Sequence, residues 1–477
     1  MSKAVIKHLS VDERKAQGKG SREQTAISAH TDWAPAANRP DPVALLEEQN
    51  VTREQDLVPV RHGRMLVSPF TFYRGAAKIM AADLRDTPRA GLNVQLCGDA
   101  HLSNFGIFAS PERTLLFDLN DFDETLPGPF EYDVKRMAAS FTIAARNNGF
   151  SRAETQAVTL ASVKNYREAM AGFAKMGTMD IWYAHLSEEE IMAAIETMVA
   201  SQKGKAKKEA EKGAVGAKKI TAKARTRDSL QALSKLAEHV DGNYRIVSQP
   251  PIVIPVRELE SFSTLSADEV QQGIHDQFRA YRATLQDDRR HLLERFQVID
   301  AARKVVGVGS VGTRAFIVLL QGRDQDDPLF LQVKEATTSV LEDHLPKSRY
   351  KQHGERVVQG QRMMQSASDI YLGWTKGVEA NRWLYWRQLR DMKGSIDVEA
   401  MKPFGLEFYA RQCGWTLARA HARSGDPVAI AAYLGKSDSF DRAMASFAEI
   451  YADQNDRDYR ALQEAVASGR VTAEMGV

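Results

Sequence analysis

The chain has 477 residues, of which 43% are hydrophobic and 26% are charged, and its formal net charge is +2. This composition excludes a disordered chain, and the length favours two or three lobes over one small core. No run of eighteen apolar residues occurs, so no transmembrane helix is predicted. Two cysteines, Cys97 and Cys413, are too few for a disulfide framework or a cysteine-rich zinc site. Because the N-terminus is also charged and has no apolar core, a reducing cytoplasm is the expected location.

Residues 1–60 are predicted to form an N-terminal arm, extended with short helical pieces, because prolines interrupt it. Residues 59–75 then carry three arginines and three aromatic residues. We interpret this segment as packing onto the domain. Contact of Arg61, Arg64 and Arg74 with phosphate or substrate is the alternative, since guanidinium groups suit phosphate.

Residues 92–132 hold the densest group of reactive side chains. Leu92, Val94 and Leu96 alternate with polar residues, which predicts a strand that ends at Gly98. Two further short strands are predicted at 106–108 and 114–117, and an acidic run at 118–124 follows. The candidate side chains are Asp99, His101, Asn104, Asp118, Asn120, Asp121, Asp123 and Glu124. A small hairpin therefore holds two loops that carry carboxylates near each other, which suits a metal-dependent site.

A helix is predicted from an N-cap at Asp133 to about Asn147, and helical patterns continue over 151–199. Residues 203–227 contain ten Lys or Arg against two Glu, so the rest of the chain is net negative. This Lys-rich segment predicts a solvated linker or helix face. Binding of nucleic acid or of an acidic partner is the alternative, although no aromatic residue lies among the lysines.

Residues 228–240 and 267–294 are predicted to be helical, and 245–255 extended, with prolines that exclude a central strand. From Phe296 the pattern becomes strand, glycine loop, strand, polar turn and strand, which predicts an antiparallel sheet. A helix at 353–366, a strand at 385–393 and helices at 406–423 and 440–467 follow. The predicted fold class is α+β.

The glycine loop has the pattern GxGxxG through Gly307, Gly309 and Gly312. A dinucleotide fold is disfavoured because a strand, not a helix, follows the loop, and the ending of a Walker loop is missing. A glycine-rich hairpin over a triphosphate fits better, with Ser310 in the loop and Lys334 one strand later. A tight hairpin with an exposed lysine is the alternative.

In this arrangement, Lys334 on the following strand needs a carboxylate from a neighbouring helix to hold its ammonium group in place. Glu355, at the start of the predicted helix after the sheet, is the first candidate, and Glu342 is the alternative.

The acidic stretch fits the same scheme. Asp99 and Asn104 have the spacing D-x-x-x-x-N of a kinase catalytic loop, and Asp121 follows a strand. We predict Asp99 as the catalytic residue and Asn104, Asp121 and Asp123 as magnesium ligands. A calcium loop is excluded by the residues at its ligand positions, and a solvated acidic turn is the alternative. His101 has no His or Cys at ligand spacing and is predicted to give structural support.

Several motifs together resemble the bacterial family known as domain of unknown function 2252, over most of residues 30–460. They are CGDAHLSNFG, FDLNDFDETLPGPFEYDVKRMAAS, KVVGVGSVGTRAFIVLL, LFLQVKEA, LARAHARSGD and YADQNDRDY. The motifs are also similar to those of aminoglycoside phosphotransferases and other kinase-like enzymes. This resemblance implies a bilobal kinase-like fold with ATP and Mg²⁺ as cofactors. It implies Asp99 as the catalytic aspartate, Asn104 and Asp121 as metal ligands, and Asp133 as the residue that braces the loop.

The sequence departs from the kinase-like pattern at two points. Cys97 stands where those enzymes have histidine, and the glycine loop follows Asp99 by about two hundred residues instead of preceding it. A circular permutation would reconcile the order. It requires the helix at 406–423 to pack beside the catalytic loop and Gly309 to face Asp121 across a cleft.

The predicted organisation has six parts. They are an N-terminal arm at 1–60, the catalytic-loop part of a helical lobe at 61–200, a Lys-rich linker or insert at 201–227, a helical segment at 228–295, a smaller β-rich nucleotide-binding lobe at 296–400, and C-terminal helices completing the helical lobe at 401–477.

The predicted function is an ATP- and Mg²⁺-dependent phosphotransferase acting on an unknown hydroxyl acceptor, either a small molecule or a protein. Alternatives are a nucleotide-binding regulatory module of pseudokinase type, nucleotidyl transfer to protein, and nucleic-acid binding through the Lys-rich segment.

Overall fold

A computed structural model describes residues 8–240, 242–259, 266–305, 307–379, 381–389, 392–394 and 396–476. The first seven residues of the predicted arm, Val306 in the glycine region, and residues 390 and 391 of a predicted strand lie outside the described residues. The described chain is a mixed α+β structure with small antiparallel sheets, as predicted. Within these ranges, no helix has the length and apolar composition needed to cross a membrane.

The α-helices are numbered in chain order. They are α1 (Val11–Gln24), α2 (Pro42–Asn50), α3 (Val58–Met65), α4 (Pro69–Gly75), α5 (Ala77–Leu84), α6 (Glu131–Asn147), α7 (Arg152–Phe173), α8 (Thr178–Tyr183), α9 (Glu188–Ser201), α10 (Gly204–Arg225), α11 (Ser229–Leu236), α12 (Ala267–Arg282), α13 (Asp287–Leu293), α14 (His353–Met364), α15 (Pro403–Ser424), α16 (Pro427–Leu434) and α17 (Ser439–Ala467).

The strands are numbered in the same way. They are β1 (Asn93–Leu96), β2 (Phe105–Ala109), β3 (Leu115–Leu119), β4 (Leu126–Pro129), β5 (Ala237–Val240), β6 (Asn243–Ile246), β7 (Val253–Pro255), β8 (Gln297–Lys304), β9 (Ala315–Gln321), β10 (Pro328–Glu335), β11 (Gly373–Lys376) and β12 (Trp383–Gln388).

The N-terminal region is more regular than predicted. Residues expected to be extended form α1, whose N-cap Ser10 makes a capping box with Glu13. The helix packs closely on α16, because a Cβ at Gly18 would overlap the carbonyl oxygen of Ala429. Charged residues cover most of α1, so its sequence has no clear apolar stripe to indicate a helix. The capping box of Ser10 and Glu13 is the sequence pattern that indicates where this helix begins.

Two antiparallel strand pairs support the acidic loops. The predicted hairpin corresponds to β2 and β3, and β1 pairs with β4, a strand that the sequence did not predict because it contains Pro127 and Pro129. The helix after β4 begins at Glu131 with Phe130 as its N-cap. The prediction of Asp133 as the N-cap is therefore wrong, and its carboxylate is available for the loop after β1.

The predicted antiparallel sheet has six strands in the order β11, β12, β10, β9, β8 and β7. The glycine loop joins β8 to β9, and α14 lies in the connection from β10 to β11. The segment with several prolines contributes β7 at the edge, as the prolines required. The sequence therefore predicts that this sheet is antiparallel. It does not predict that β10 pairs with β12, which the structure shows.

The Lys-rich segment forms α10 rather than an open linker. Most of its lysines face solvent, but Ala224 is buried and Ile220 packs against the main core. Both contact the Gly394 region, and the carbonyl of Arg227 just after the helix accepts a hydrogen bond from the N–H of Met392 at 2.9 Å. One face of α10 therefore supports the chain that follows β12.

Helix α15 lies beside the loop that follows β1. Ser424 Oγ accepts a hydrogen bond from the N–H of Gln95 at 3.1 Å, and His421 Nε2 lies 3.2 Å from Asp133 Oδ2. The helix also packs closely on α7, since a Cβ at Gly414 would overlap the carbonyl oxygen of Ser162. The C-terminal part of the chain therefore completes the core around the first strands.

The contact between α15 and α7 predicts a strong effect of adding one methyl group. We expect Gly414→Ala to destabilise the protein by about 2 kcal/mol or more, because neither backbone can move without opening the core. Gly405→Ala in the same helix is the control, since a Cβ there has open space. It should be neutral or stabilising by up to about 1 kcal/mol. Urea unfolding midpoints measure both, and equal midpoints for the two variants would contradict the prediction.

Candidate functional site

The loop after β1 is fixed by one buried carboxylate. Asp133 accepts hydrogen bonds from the N–H groups of Cys97 at 2.7 Å and of Gly98 at 3.0 Å. Gly98 has φ +84°, and a Cβ there would overlap the carbonyl oxygen of Glu124. The chain can therefore turn sharply at Gly98 and present Asp99 at the end of β1.

Asp99 is held by a cation. Arg136 donates from Nε to Asp99 Oδ1 at 2.8 Å, and its guanidinium stacks 3.9 Å from the ring centroid of Tyr73. His101 Nε2 lies 3.7 Å from Asp99 Oδ2. Burial raises the pKa of Asp99, and Arg136 opposes that rise. Burial likewise lowers the pKa of His101, so the imidazole is neutral at pH 7.

Asn104 shapes the same loop from its other end. Its Nδ2 donates to the carbonyl oxygen of Asp99 at 2.7 Å. The N–H of Asn120, at the end of β3, donates to the carbonyl of Asn104 at 2.8 Å. These two bonds tie the loop after β1 to the loop after β3.

Asp121 and Asp123 share one lysine. Lys334 Nζ lies 2.5 Å from Asp123 Oδ2 and 3.8 Å from Asp121 Oδ2, and Tyr385 donates to Asp123 Oδ1 at 2.6 Å. Burial works against ionisation of Asp123, but Lys334 and Tyr385 hold its pKa below the ordinary value. Burial and the charge of Asp123 raise the pKa of Asp121. One ammonium is therefore shared unequally by two carboxylates.

The glycine loop lies over these carboxylates. Ser310 Oγ is 3.4 Å from Asp123 Oδ2, and Arg64 donates to the carbonyl of Gly307 at 2.6 Å. A Cβ at Gly309 would lie 3.1 Å from the carbonyl oxygen of Arg74. Backbone and hydroxyl groups of the loop, rather than bulky side chains, therefore face the acidic residues.

A cavity of about 120 Å³ lies between the two groups of residues. The predicted site residues that line it are Asp99, His101, Asn104, Asp121, Asp123, Gly307, Gly309 and Ser310. Lys334 contacts two of them. Gly312, with φ +84°, is not a lining residue; a Cβ there would lie 3.1 Å from Cβ of Arg53. Asp133 lies behind the loop as its support.

The prediction that Glu355 pairs with Lys334 is wrong. Among the described residues, the carboxylates paired with Lys334 are those of Asp121 and Asp123. Glu355 lies in the first turn of α14 and does not line the cavity. The alternative, Glu342, is 3.9 Å from Arg356 Nε. Glu355 was predicted because α14 is the helix that follows the strand of Lys334 in sequence. The carboxylates that pair with Lys334 come instead from the loop after β3.

Three residues that were not predicted from the sequence hold the acidic side chains and their loop in place. Arg136 pairs with Asp99, Tyr385 binds Asp123, and Arg356 donates to the carbonyl oxygens of Asp123 and Thr125 at 2.8 and 2.7 Å. Arg136 could have been found, since it lies one helical turn after Asp133 and shares its face. No local pattern marks the other two.

The side chains available for a metal are two carboxylates and one amide. Within the described ranges, no group of three or more His, Cys, Asp or Glu is placed as a metal centre. Asp121, Asp123 and Asn104 line one wall of the cavity. Mg²⁺ commonly uses one or two protein carboxylates and takes its other ligands from water and phosphate. The donor types of these three side chains therefore fit Mg²⁺.

The fold and the site define an α+β protein with a small cavity between an acidic hairpin and a glycine-rich loop. The chain belongs to the family described as uncharacterized protein conserved in bacteria (DUF2252), whose model matches residues 53–465. Searches of curated proteins and of solved structures found no match.

Because the carboxyl group of Glu124, which also lines the cavity, is buried, the free energy of unfolding should depend on pH. Burial raises the pKa of Glu124 to about 7, against the charge of Arg356 and a hydrogen bond from the N–H of Val340. An unfolded glutamate titrates near about 4.3. The folded chain therefore binds a proton that the unfolded chain releases, and this stabilisation is lost as the pH rises from about 4 to 7.

We expect the wild type to lose stability relative to Glu124→Gln between pH 5 and pH 8. Urea unfolding at both pH values, with Glu112→Gln at an exposed turn as the control, measures the change. A constant difference between wild type and Glu124→Gln would show that Glu124 does not titrate in this range.

Proposed function

We propose that this protein is an ATP- and Mg²⁺-dependent phosphotransferase with a kinase-like bilobal fold and a hydroxyl acceptor. One observation carries the proposal: the acidic loops and the glycine loop, far apart in sequence, line one cavity. Lys334, one strand after the glycine loop, reaches Asp123 at 2.5 Å. Separate elements thus bring the glycine loop, a lysine and two carboxylates to one place, which supports their proposed roles in binding phosphate and metal.

The order of parts within the six-stranded sheet supports this proposal. A glycine hairpin, a strand that carries a lysine and then a helix follow one another, as in the nucleotide-binding part of protein kinases. The contact of α15 with β1 and with Asp133 supports the proposed circular permutation, because a permuted kinase-like fold needs a helix beside the catalytic loop. Asp133 holds the backbone of that loop, which is the bracing role that the resemblance implies.

The chemistry follows from the side chains around the cavity. Asp121, Asp123 and Asn104 would hold Mg²⁺, which neutralises charge on the phosphate groups. Asp99 orients the acceptor hydroxyl and accepts its proton, while Arg136 fixes the carboxylate. The backbone of Gly309 and Ser310 approaches the phosphates, and Lys334 supplies a positive charge.

A nucleotide-binding module without turnover is the second candidate. Two observations favour it: Asp99 is engaged by Arg136, and Lys334 has no carboxylate partner from α14 among the described residues. Such a module would bind ATP and Mg²⁺ at the same cavity and release them unchanged.

The first test concerns transfer. Wild-type protein, incubated with labelled ATP, Mg²⁺ and a metabolite extract, should label an acceptor, and Asp99→Ala should lower the rate about 100-fold or more. The loss follows from removal of the group that accepts the proton. Asp326→Ala, at an exposed turn, is the control and should keep the wild-type rate. Equal rates for wild type and Asp99→Ala would exclude the proposed role, and ATP binding without any product would favour the regulatory module.

The second test concerns the metal. Lys334→Met removes the cation shared by Asp121 and Asp123, so it should destabilise the protein by about 3 kcal/mol or more without metal. Millimolar Mg²⁺ should restore more stability to this variant than to the wild type, because the metal no longer competes with the lysine.

Thermal unfolding with and without Mg²⁺ measures this effect. The double variant Lys334→Met, Asp121→Asn is the control and should lose most of the Mg²⁺ effect. If Mg²⁺ stabilises neither the single variant nor the wild type, the predicted metal site is wrong.

A further inference from the structure

A second cavity, of about 630 Å³, adjoins the first. Both are lined by Arg74, Asn104 and Asp121, so they meet at the proposed metal ligands. We call the larger cavity the β12 chamber; its walls include Arg227, Arg387, Lys393 and Tyr409. Its basic lining contrasts with the acidic side of the smaller cavity.

Arg387 is fixed at the inner end of the β12 chamber. Its Nε donates to Gln332 Oε1 at 2.9 Å, and its Nη1 donates to the carbonyl oxygen of Asn120 at 3.2 Å. These bonds tie the guanidinium to the strand of Lys334 and to the residue before Asp121. A fixed positive charge therefore lies next to the place where the two cavities meet.

Lys393 lies close to the same charge. In the described part of the chain, its ammonium group has no hydrogen-bond or ion-pair partner. The charge of Arg387 and burial lower the pKa of Lys393 to about 7. Two cations that line the same partly closed space repel each other, and an anion bound beside them would remove this cost.

Arg74 adds a third cation where the cavities join. Its Nε is buried and has no hydrogen-bond partner within the described residues. The carboxylates of the chamber other than Asp121 are Asp397 and Glu399, which are exposed. Glu399 interacts with Arg74 through charge but makes no hydrogen bond to it in the described chain. Within the described residues, Lys393 Nζ and Arg387 Nη2 make no hydrogen bond to the protein, so both donors remain for a ligand beside the charge of Arg74.

We propose that the β12 chamber binds a phosphate group, held by Arg74, Arg387 and Lys393 beside the proposed metal ligands. This inference rests on the proposed function, since that function places a nucleotide and an acceptor at this junction. Guanidinium and ammonium groups bind phosphate through several charged hydrogen bonds. The shared chemistry is a phosphate monoester or polyphosphate.

The phosphate has two possible sources. It belongs either to the acceptor or to the nucleotide's own polyphosphate tail. In the second case the α-phosphate would face Asp99. A hydroxyl oxygen would then form a bond to the α-phosphorus, the bond to the β-phosphate oxygen would break, pyrophosphate would leave, and Asp99 would accept the hydroxyl proton.

Inorganic pyrophosphate is the probe for the chamber. Calorimetry with the full chain and Mg²⁺ should show binding by the wild type and a loss of about tenfold or more for Lys393→Gln. Lys393→Glu should weaken binding further, since it places a negative charge in the chamber. Lys376→Gln, an exposed lysine in β11, is the control and should bind like the wild type.

Competition between ATP and pyrophosphate distinguishes the two sources of the phosphate. If Mg²⁺-ATP displaces pyrophosphate and Lys393→Gln weakens both ligands, the chamber holds the nucleotide's tail. If both bind together, the chamber holds the acceptor. Both results support the proposal.

Two other results separate the chamber from the proposed function. Unchanged pyrophosphate affinity in both Lys393 variants, or ATP binding without pyrophosphate binding in the wild type, would overturn the chamber and leave the phosphotransferase standing. Pyrophosphate binding that depends on Lys393, with no ATP binding at all, would support the chamber and overturn the phosphotransferase.

Discussion

The arrangement of the site depends on the ion pair between Lys334 and Asp123, two residues that lie 211 positions apart in sequence. Lys334 is 2% exposed, and a buried ammonium group is stable only with close partners of opposite charge. Asp123, Asp121 and the ring of Tyr385 surround it. The six-stranded sheet therefore cannot separate from the acidic loops without leaving these charges unpaired. This one contact sets the spacing between the glycine loop and the loop of Asp121.

Helices from the second half of the chain hold the acidic strands from behind. Arg419 of α15 pairs with the fully buried Asp118 of β3, and Asp118 also accepts two hydrogen bonds from Ser366 after α14. His421 reaches Asp133 in the same region. None of these contacts depends on the order in which the elements occur along the chain. For this reason the proposed kinase-like site is compatible with a permuted order of elements, provided that the same faces meet.

The sequence predicted local features well where a short pattern has one physical cause. Alternating apolar residues predict β1, which ends at Gly98 with a positive φ, and the two short strands predicted after it correspond to β2 and β3. The partner of Lys334 could not be predicted in this way, because a charge pair depends on distance in space. Glu355 was expected because it lies in the helix nearest in sequence to Lys334. In the structure, the pairing of β10 with β12 places Tyr385 beside Lys334, and the acidic loop places Asp123 there. Helix α1 was missed because tertiary packing on α16, rather than an apolar stripe, stabilises it.

The charges of the two cavities are unbalanced in opposite directions. On one side, Asp121 and Asp123 share a single ammonium group, and burial together with the charge of Asp123 raises the pKa of Asp121. On the other side, Arg387 and Lys393 repel each other, and the pKa of Lys393 falls to about 7. A second cation near Asp121 and an anion near Lys393 would each remove a cost. In the proposed function, Mg²⁺ held by the carboxylates and a polyphosphate held by the basic side chains would supply both charges at once. The opposite charge imbalances of the two cavities therefore support the proposed Mg²⁺-bound phosphate ligand at their junction.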